Sequence, residues 1–295
     1  MSWKNLRLFA VIILLLANAA LFAAVYTDYV NKNYYNENDI YEMRILLRSA
    51  GIEMDIDAMS SKRVDPSVHF TEYTADDVKL AVSVLSGGDV TYESGEYIAY
   101  GNGGRYVVSS DLSLEFSVDG YEPHSYISSI YEAKTVRKIQ GVFEKFLNVK
   151  KISRAFGKRD SASQSYIADT LFIDNNNVYY ATFYEYIDGI KTSNKIDAAI
   201  SDGMVIYASG TFSLIPPTRI YSADTLDFMT FLVFEKRYFE SVETERAPVL
   251  ENISCEYERY TDMFGALYLI PVCRISYSDG MLRTYDMITG LVIDE

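Results

Sequence analysis

The sequence predicts an α+β fold: an N-terminal transmembrane helix followed by helix-plus-antiparallel-meander units, two or three times repeated. Three observations carry that reading. A long apolar run opens the chain, amphipathic stretches of helical period each precede several short alternating strands, and Asp-Gly turns recur between those strands. The chain has 295 residues, 49% hydrophobic and 23% charged, enough to bury a core in one large domain or two ordinary ones. Tyr is abundant (26) while Pro numbers only 6, a β-prone composition that argues against disorder.

From Leu8 to Tyr26 the only residue that is not apolar is Asn18, roughly 19 residues that as a helix span most of a ~30 Å hydrocarbon core. Lys4 and Arg7 precede the run and no base follows until Lys32, so the positive-inside rule places Met1 in the cytoplasm and the bulk of the chain outside a cell membrane crossed once. A cleaved signal peptide is the rival reading, since Ala17-Asn18-Ala19 has the A-x-A form. Against cleavage, Leu21, Phe22, Ala23, Ala24 and Val25 carry the apolar run onward as in an anchor. Ala19/Ala23 and Ala20/Ala24 are small-xxx-small pairs that let helix backbones approach, and an intramembrane amide at Asn18 is better satisfied by another helix than by lipid. These five residues are the expected surface for lateral association, the alternative being an alanine-rich anchor with a tolerated Asn.

With Lys4 and Arg7 the only charges before Thr27, the rest of the chain holds 25 basic against 41 acidic residues, a self-repelling surface that excludes a nucleic-acid binder. Residues 1–7 read as a cytoplasmic tail, 8–26 as the transmembrane helix and 27–38 as a polar juxtamembrane linker. An exterior α+β domain covers 39–125, a central helix-plus-meander unit 126–215, and a C-terminal one 216–295. In the first, a helix starts at Asp39 with Glu42 and stops at Gly51. A short strand follows at Ile52–Ile56, and Thr74 with Asp77 opens a second helix halted by Gly87-Gly88. Strands at 89–93, 96–100, 104–109 and 112–118 come next, two of them joined by Gly101-Asn102-Gly103-Gly104. The central unit has a capping box at Ser129/Glu132, a helix through Leu147 and strands at 165–174, 178–187, 194–201 and 204–213. The last has a helix over 223–240 and strands at 252–260, 267–277, 281–287 and 291–294. Ile200-Ser201-Asp202-Gly203-Met204 and Tyr277-Ser278-Asp279-Gly280-Met281 repeat one turn, with Phe116-Ser117-Val118-Asp119-Gly120 a fainter copy.

Chemistry is sparse. His69 and His124 sit in irregular segments with no local nucleophile or carboxylate and read as surface or turn residues. The Gly101–Gly104 turn lacks the Lys and helix of a phosphate cradle, and the clusters Asp55/Asp57, Asp76/Asp77 and Asp174 with Asn175–Asn177 lack the final Glu of a twelve-residue calcium loop. Tyr179, Tyr180, Tyr184 and Tyr186 are either a recognition platform or ordinary sheet residues. No catalytic residue, metal or cofactor is expected. Cys255 and Cys273 lie equidistant from Phe264 on adjacent strands, and a disulfide and two buried thiols both remain open.

The short basic start with Trp3-Lys4, the single span, and a helix leading into Gly51-Ile52-Glu53-Met54-Asp55-Ile56-Asp57 resemble the YycH/YycI-type regulatory proteins of Gram-positive bacteria, single-pass companions of the WalK sensor kinase. Pro271-Val272-Cys273-Arg274-Ile275, Ser278-Asp279-Gly280 and Tyr285-Asp286-Met287-Ile288-Thr289-Gly290 are similar to the closing strands of such domains and of PepSY modules, with Met287 where the pattern has Ala. The resemblance implies a non-enzymatic regulator of a sensor histidine kinase, working through Asn18, Ala19, Ala20, Ala23 and Ala24 against the helices of the kinase or of a related accessory membrane protein, as a homo- or heterodimer. A PepSY-like inhibitory or chaperone module for an exported peptidase, binding through a strand edge, is the alternative. An envelope enzyme with paired carboxylates is a third.

Overall fold

The computed structural model describes residues 3–121, 128–129, 133–157, 162–220, 224–242, 248–263 and 266–293, without the side chains of 3–14, 128, 129 and 133. The expected roles of His124, of the Ser129/Glu132 box and of a loop centred on Phe264 lie outside that description. In chain order the elements are α1 (Trp3–Asn33), α2 (Glu37–Ser49), β1 (Glu53–Met54), β2 (Val68–Thr71), α3 (Ala75–Ser86), β3 (Val90–Glu93), β4 (Glu96–Gly101), β5 (Gly104–Ser109) and β6 (Ser113–Val118). Then come β7 (Ser128–Ser129), α4 (Ala133–Leu147), α5 (Val149–Ala155), β8 (Gln164–Ile173), β9 (Tyr179–Ile187), β10 (Ile190–Ser201), β11 (Met204–Thr211) and β12 (Thr218–Ile220). The chain closes with α6 (Phe228–Ser241), β13 (Val249–Thr261), β14 (Leu267–Tyr277) and β15 (Leu282–Asp286).

Two compact units form. The first takes residues 1–65, 225–254 and 273–295, and the second takes 66–224 and 255–272. The second contains stretches from all three exterior intervals named above, so its sheet is not a string of separate repeats.

In the second unit the helix-then-meander order is explicit. Helix α3 precedes β3–β6, and α4 with α5 precede β8–β11. Within each set, consecutive strands pair antiparallel. The two meanders join edge to edge where β11 pairs antiparallel with β6, which yields a large, mostly antiparallel sheet. Strands β12, β2 and the part of β14 in this unit extend it antiparallel, and β10 takes a short parallel contact with β13 at Lys191–Thr192.

Local chemistry explains the boundaries. Thr74 caps α3 in a reciprocal box with Asp77, and Gly87 ends it at φ 72° in the left-handed region that only glycine enters freely. Gly101 has no substitute of another kind, because a Cβ there would stand 1.9 Å from the Ser86 carbonyl oxygen. One face of the sheet is covered by α3, α4 and α5. Val82, Leu85, Phe143, Phe146, Leu147 and Ile152 pack there on Tyr106, Phe116, Phe183 and Ile196. Phe143 and Phe183 stack with centroids 3.9 Å apart and planes 6° from parallel.

The first unit holds α1, α2, β1, α6, the start of β13, the end of β14, and β15. Helix α1 runs on to Asn33, through residues where a polar linker is expected: the run Thr27–Asn33 includes Asp28 and Lys32, an i,i+4 ion pair at 3.1 Å that favours helix. Among the described residues no helix is long and apolar enough to cross a membrane. The expected span 8–26 falls partly on residues whose side chains lie outside that description.

Candidate functional site

In the first unit α1 is fastened where it ends. Tyr34 bridges to Lys62, the Tyr35 N–H donates to the Ser61 carbonyl at 2.7 Å, and the Arg63 N–H donates to the Asn33 carbonyl at 2.8 Å. The Tyr35 ring is buried under the Arg63 guanidinium at 4.7 Å, and its hydroxyl accepts from the Phe228 N–H at 3.2 Å. Burial pushes that hydroxyl up to about 12, opposed by the hydrogen bond to the Phe228 backbone. Asn36 then caps α2, which packs on α6. Arg44 of α2 donates to the Asp55 and Ile56 carbonyls at 3.0 and 2.6 Å, framing a cleft of about 590 Å³ that Ile40, Tyr41 and Ile56 line. Tyr41 and Ile56 are strongly exposed there. Of the residues expected to associate laterally, Asn18, Ala19, Ala20, Ala23 and Ala24 all lie exposed along α1.

Behind this joint sits a buried ionic knot. Glu235 of α6 is fully buried and accepts from Tyr277 at 2.5 Å, from Arg283 Nε at 2.8 Å and from the Tyr285 hydroxyl. Burial, reinforced by the Glu235 charge, raises both tyrosines far above their ordinary value, so they remain donors at any physiological pH.

The second unit holds a second buried carboxylate, Glu185 on β9. Its Oε1 accepts from Gln164 at 2.6 Å, from the Ser213 N–H at 2.9 Å and from Tyr166 at 3.1 Å. Its Oε2 accepts from Asn194 at 2.6 Å, from the Ser213 hydroxyl at 2.9 Å and from Thr192 at 3.4 Å. Gln164 and Tyr166, which hold this carboxylate, also line a cleft of about 500 Å³ beside α4 and α5. With its oxygens taken by so many donors, Glu185 serves as a structural anchor beneath that cleft.

His69 corrects the sequence reading. It is fully buried on β2, paired with Arg219 of β12 and Leu269 of β14, and not a surface residue. Its Nε2 and the Tyr257 hydroxyl share a hydrogen bond of 3.1 Å, and the same nitrogen lies 3.7 Å from Asp188, which is also ion-paired with Arg219. These partners come from 119 to 188 positions away in sequence, so only the folded sheet assembles them. Burial lowers the imidazole below its ordinary 6.5 against the pull of Asp188. The unfolded chain therefore binds the proton more readily, and His69 stabilises the fold above about pH 6.5 and progressively less as pH falls below it. Thermal midpoints are expected to drop between pH 7 and pH 5, and the His69→Gln variant should show a smaller drop. An equal drop in both proteins would remove His69 from the account.

Asp174 is the center of a turn, its Oδ1 accepting the Asn176 and Val178 N–H groups at 2.8 Å, so the Asp174–Asn177 cluster is occupied with backbone. Tyr179, Tyr184 and Tyr186 are half-buried while Tyr180 is buried, so the four do not form one exposed platform. Cys255 is half-buried on β13 and Cys273 is buried on β14, and burial pushes the Cys255 thiol up to about 12. Among the described residues no group of His, Cys, Asp and Glu is placed to hold a metal. A signal that sequence reasoning missed is the run of bases in 134–154, of which Lys145 and Lys150 line the Gln164 cleft.

No protein-family model matches the chain, and no curated protein matches it. Among solved structures it is similar to an uncharacterized protein from Eubacterium rectale, at 15% identity and a TM-score of 0.40 over 83% of this chain and 90% of that one. It is also similar to the Bacillus megaterium YpeB C-terminal domain, at 11% identity and a TM-score of 0.31 over 89% and 97% of the two chains. Values this low locate neither a site nor an activity.

Proposed function

We propose that this chain is a membrane-anchored, non-enzymatic regulator of a sensor histidine kinase. In this reading residues 8–26 cross the cell membrane once, with the N-terminus in the cytoplasm. Asn18 and the Ala19/Ala23 and Ala20/Ala24 pairs meet a helix of the kinase or of an accessory membrane protein, and the exterior part binds a protein partner. In the same reading residues 216–295 carry the PepSY-like closing strands.

The observation that supports it is the joint at Tyr35. A tether that merely held the domain at the membrane needs no fixed connection to it. Here the chain leaves α1 through a buried tyrosine, Tyr35, gripped by Phe228 and Arg63, and passes at once into α2, which packs on α6. A shift or rotation of α1 therefore bears on the packed interior of the first unit, which is what a relay between two states requires. The exposed Tyr41 and Ile56 beside that joint are the surface an exterior partner would cover.

The test uses the full-length chain in cells. Replacing Asn18, Ala19, Ala20, Ala23 and Ala24 with Leu is expected to abolish co-purification of the kinase that the wild-type chain captures. Tyr35→Ala should leave capture intact and change kinase output at least threefold. Unchanged capture and output in both variants sink the proposal. Capture of a protease by residues 27–295 alone would favour the inhibitory or chaperone reading instead.

A further inference from the structure

Helices α4 and α5 invert the charge of the chain. Between Ala133 and Arg154 stand Lys134, Arg137, Lys138, Lys145, Lys150, Lys151 and Arg154 against the single acid Glu144, in a protein whose formal net charge is -14. All seven bases are exposed, and among the described residues none of them is ion-paired. Several are like-charge neighbours on one helix face, Lys134 with Lys138 and Lys150 with Arg154 at i,i+4, an arrangement that destabilises a helix unless something neutralises it. The apolar faces of both helices are buried on the sheet through Phe143, Leu147 and Ile152, which leaves the bases directed to solvent.

Three of these bases also border hollow space. Lys145 and Lys150 line the cleft of about 500 Å³, and Lys150 and Arg154 line a second of about 290 Å³. The two share Val149, Lys150 and Gln164, so they make one trough along α5. Asn148, Ser153 and Ser165 add neutral donors to its lining, and Glu144 is its single carboxylate. The floor is rigid: Gln164 donates to Glu185, to the Tyr166 hydroxyl at 2.8 Å and to the Ser213 carbonyl at 2.8 Å.

We propose that this trough binds a soluble ligand carrying two or more phosphate groups. Lysine heads meet phosphate as mobile point charges, arginine adds a forked donor, and three separated cations with hydroxyl and amide donors match several tetrahedral groups better than one carboxylate. A concave site of this volume suits a small molecule that enters it, whereas a membrane surface would be met by an open face. The site lies within the second unit and is independent of the α1 joint.

Isothermal titration of the full chain in non-ionic detergent, with tripolyphosphate as the probe at fixed ionic strength, tests it. Saturable binding is expected, weakened at least tenfold in Lys150→Gln/Arg154→Gln. Lys134→Gln/Lys138→Gln removes the same charge away from the trough and should cost less than threefold. Equal losses in the two double variants would show diffuse charge attraction and overturn the site. So would tripolyphosphate binding no tighter than matched chloride, or dihexanoyl-phosphatidylglycerol binding as tightly as the probe, which would make the ligand a lipid headgroup. Kinase capture is unaffected in every outcome, so failure here is distinct from failure of the relay.

Discussion

Glu235→Ala is expected to lower the thermal midpoint of the first unit by roughly 10 °C or more, the consequence of losing about 3–5 kcal/mol. Glu235 is fully buried, and Arg283 keeps only 15% of its side chain exposed. Removing the carboxylate strands a guanidinium and two buried hydroxyls, those of Tyr277 and Tyr285, whose acceptor among the described residues is Glu235. Breaking a buried pair by deleting one partner costs far more than the pair is worth against an apolar replacement. That asymmetry supplies the control. Glu235→Leu combined with Arg283→Met removes both charges together and should recover most of the loss, although the two tyrosine hydroxyls still want partners. Glu235→Gln keeps the shape but turns an amide N–H toward donors, so an intermediate loss of about 2 kcal/mol is expected. The Arg283 guanidinium also lies 3.7 Å from the Tyr238 ring centroid, so Met at 283 forfeits a cation–π contact worth roughly 0.5–2 kcal/mol. A midpoint for Glu235→Ala within 2 °C of wild type would mean the knot does not hold this unit together. Because α6 carries Glu235 and packs on α2, the same variant should loosen the Tyr35 joint, and amide exchange in α2 is the measurement that reads it.

What could be read from the letters follows from how far each feature reaches along the chain. The α3 cap at Thr74/Asp77 and the hairpin turns at Asp188-Gly189 and Asp202-Gly203, all four of those turn residues at positive φ, depend on neighbours within four positions, and each was legible. Most of the strand series was legible for the same reason, since alternation is local, but β2 and β12 were not read, and 291–293 form no strand where one is expected. His69 was not, because an isolated imidazole in an irregular stretch gives no sign that Asp188, Arg219 and Tyr257 will converge on it. Glu185 and Glu235 were hidden by pattern itself: one acid in a strand or helix reads as a solvent-facing position, and only the packing of distant elements buries it. Tyr35 fell inside a polar stretch that reads as linker, though its partners Arg63 and Phe228 lie 28 and 193 positions on. The basic run of α4 and α5 is different. It was local and countable, and it was masked by an overall acidic balance that averages it away.

Glu185→Ala is expected to destabilise the second unit by about 3–5 kcal/mol, and here the reasoning differs because none of the partners named for this carboxylate is a cation. The charge is held by six neutral donors, from Gln164, Tyr166, Thr192, Asn194 and, twice, Ser213. Desolvating a carboxylate costs several kcal/mol, while hydrogen bonds to a charged group contribute about 1.5–3 kcal/mol each, so five close bonds outweigh the penalty. Truncation to alanine removes every acceptor at once. A few waters entering the cavity would satisfy some of the orphaned donors, which keeps the loss below the simple sum. Glu185→Leu excludes that water and should be the worse variant, the reverse of the usual rule that a larger apolar side chain fills a core better. Glu185→Gln puts an amide N–H where only acceptors fit and should lie between wild type and alanine. The order Leu, Ala, Gln from least to most stable, read by thermal unfolding, is the signature of a donor-rich anion cage. If leucine proved as stable as wild type, the cluster would be replaceable packing. The cage also fixes the floor of the α5 trough through Gln164 and Tyr166, so Glu185→Gln should weaken tripolyphosphate binding without touching a single lysine.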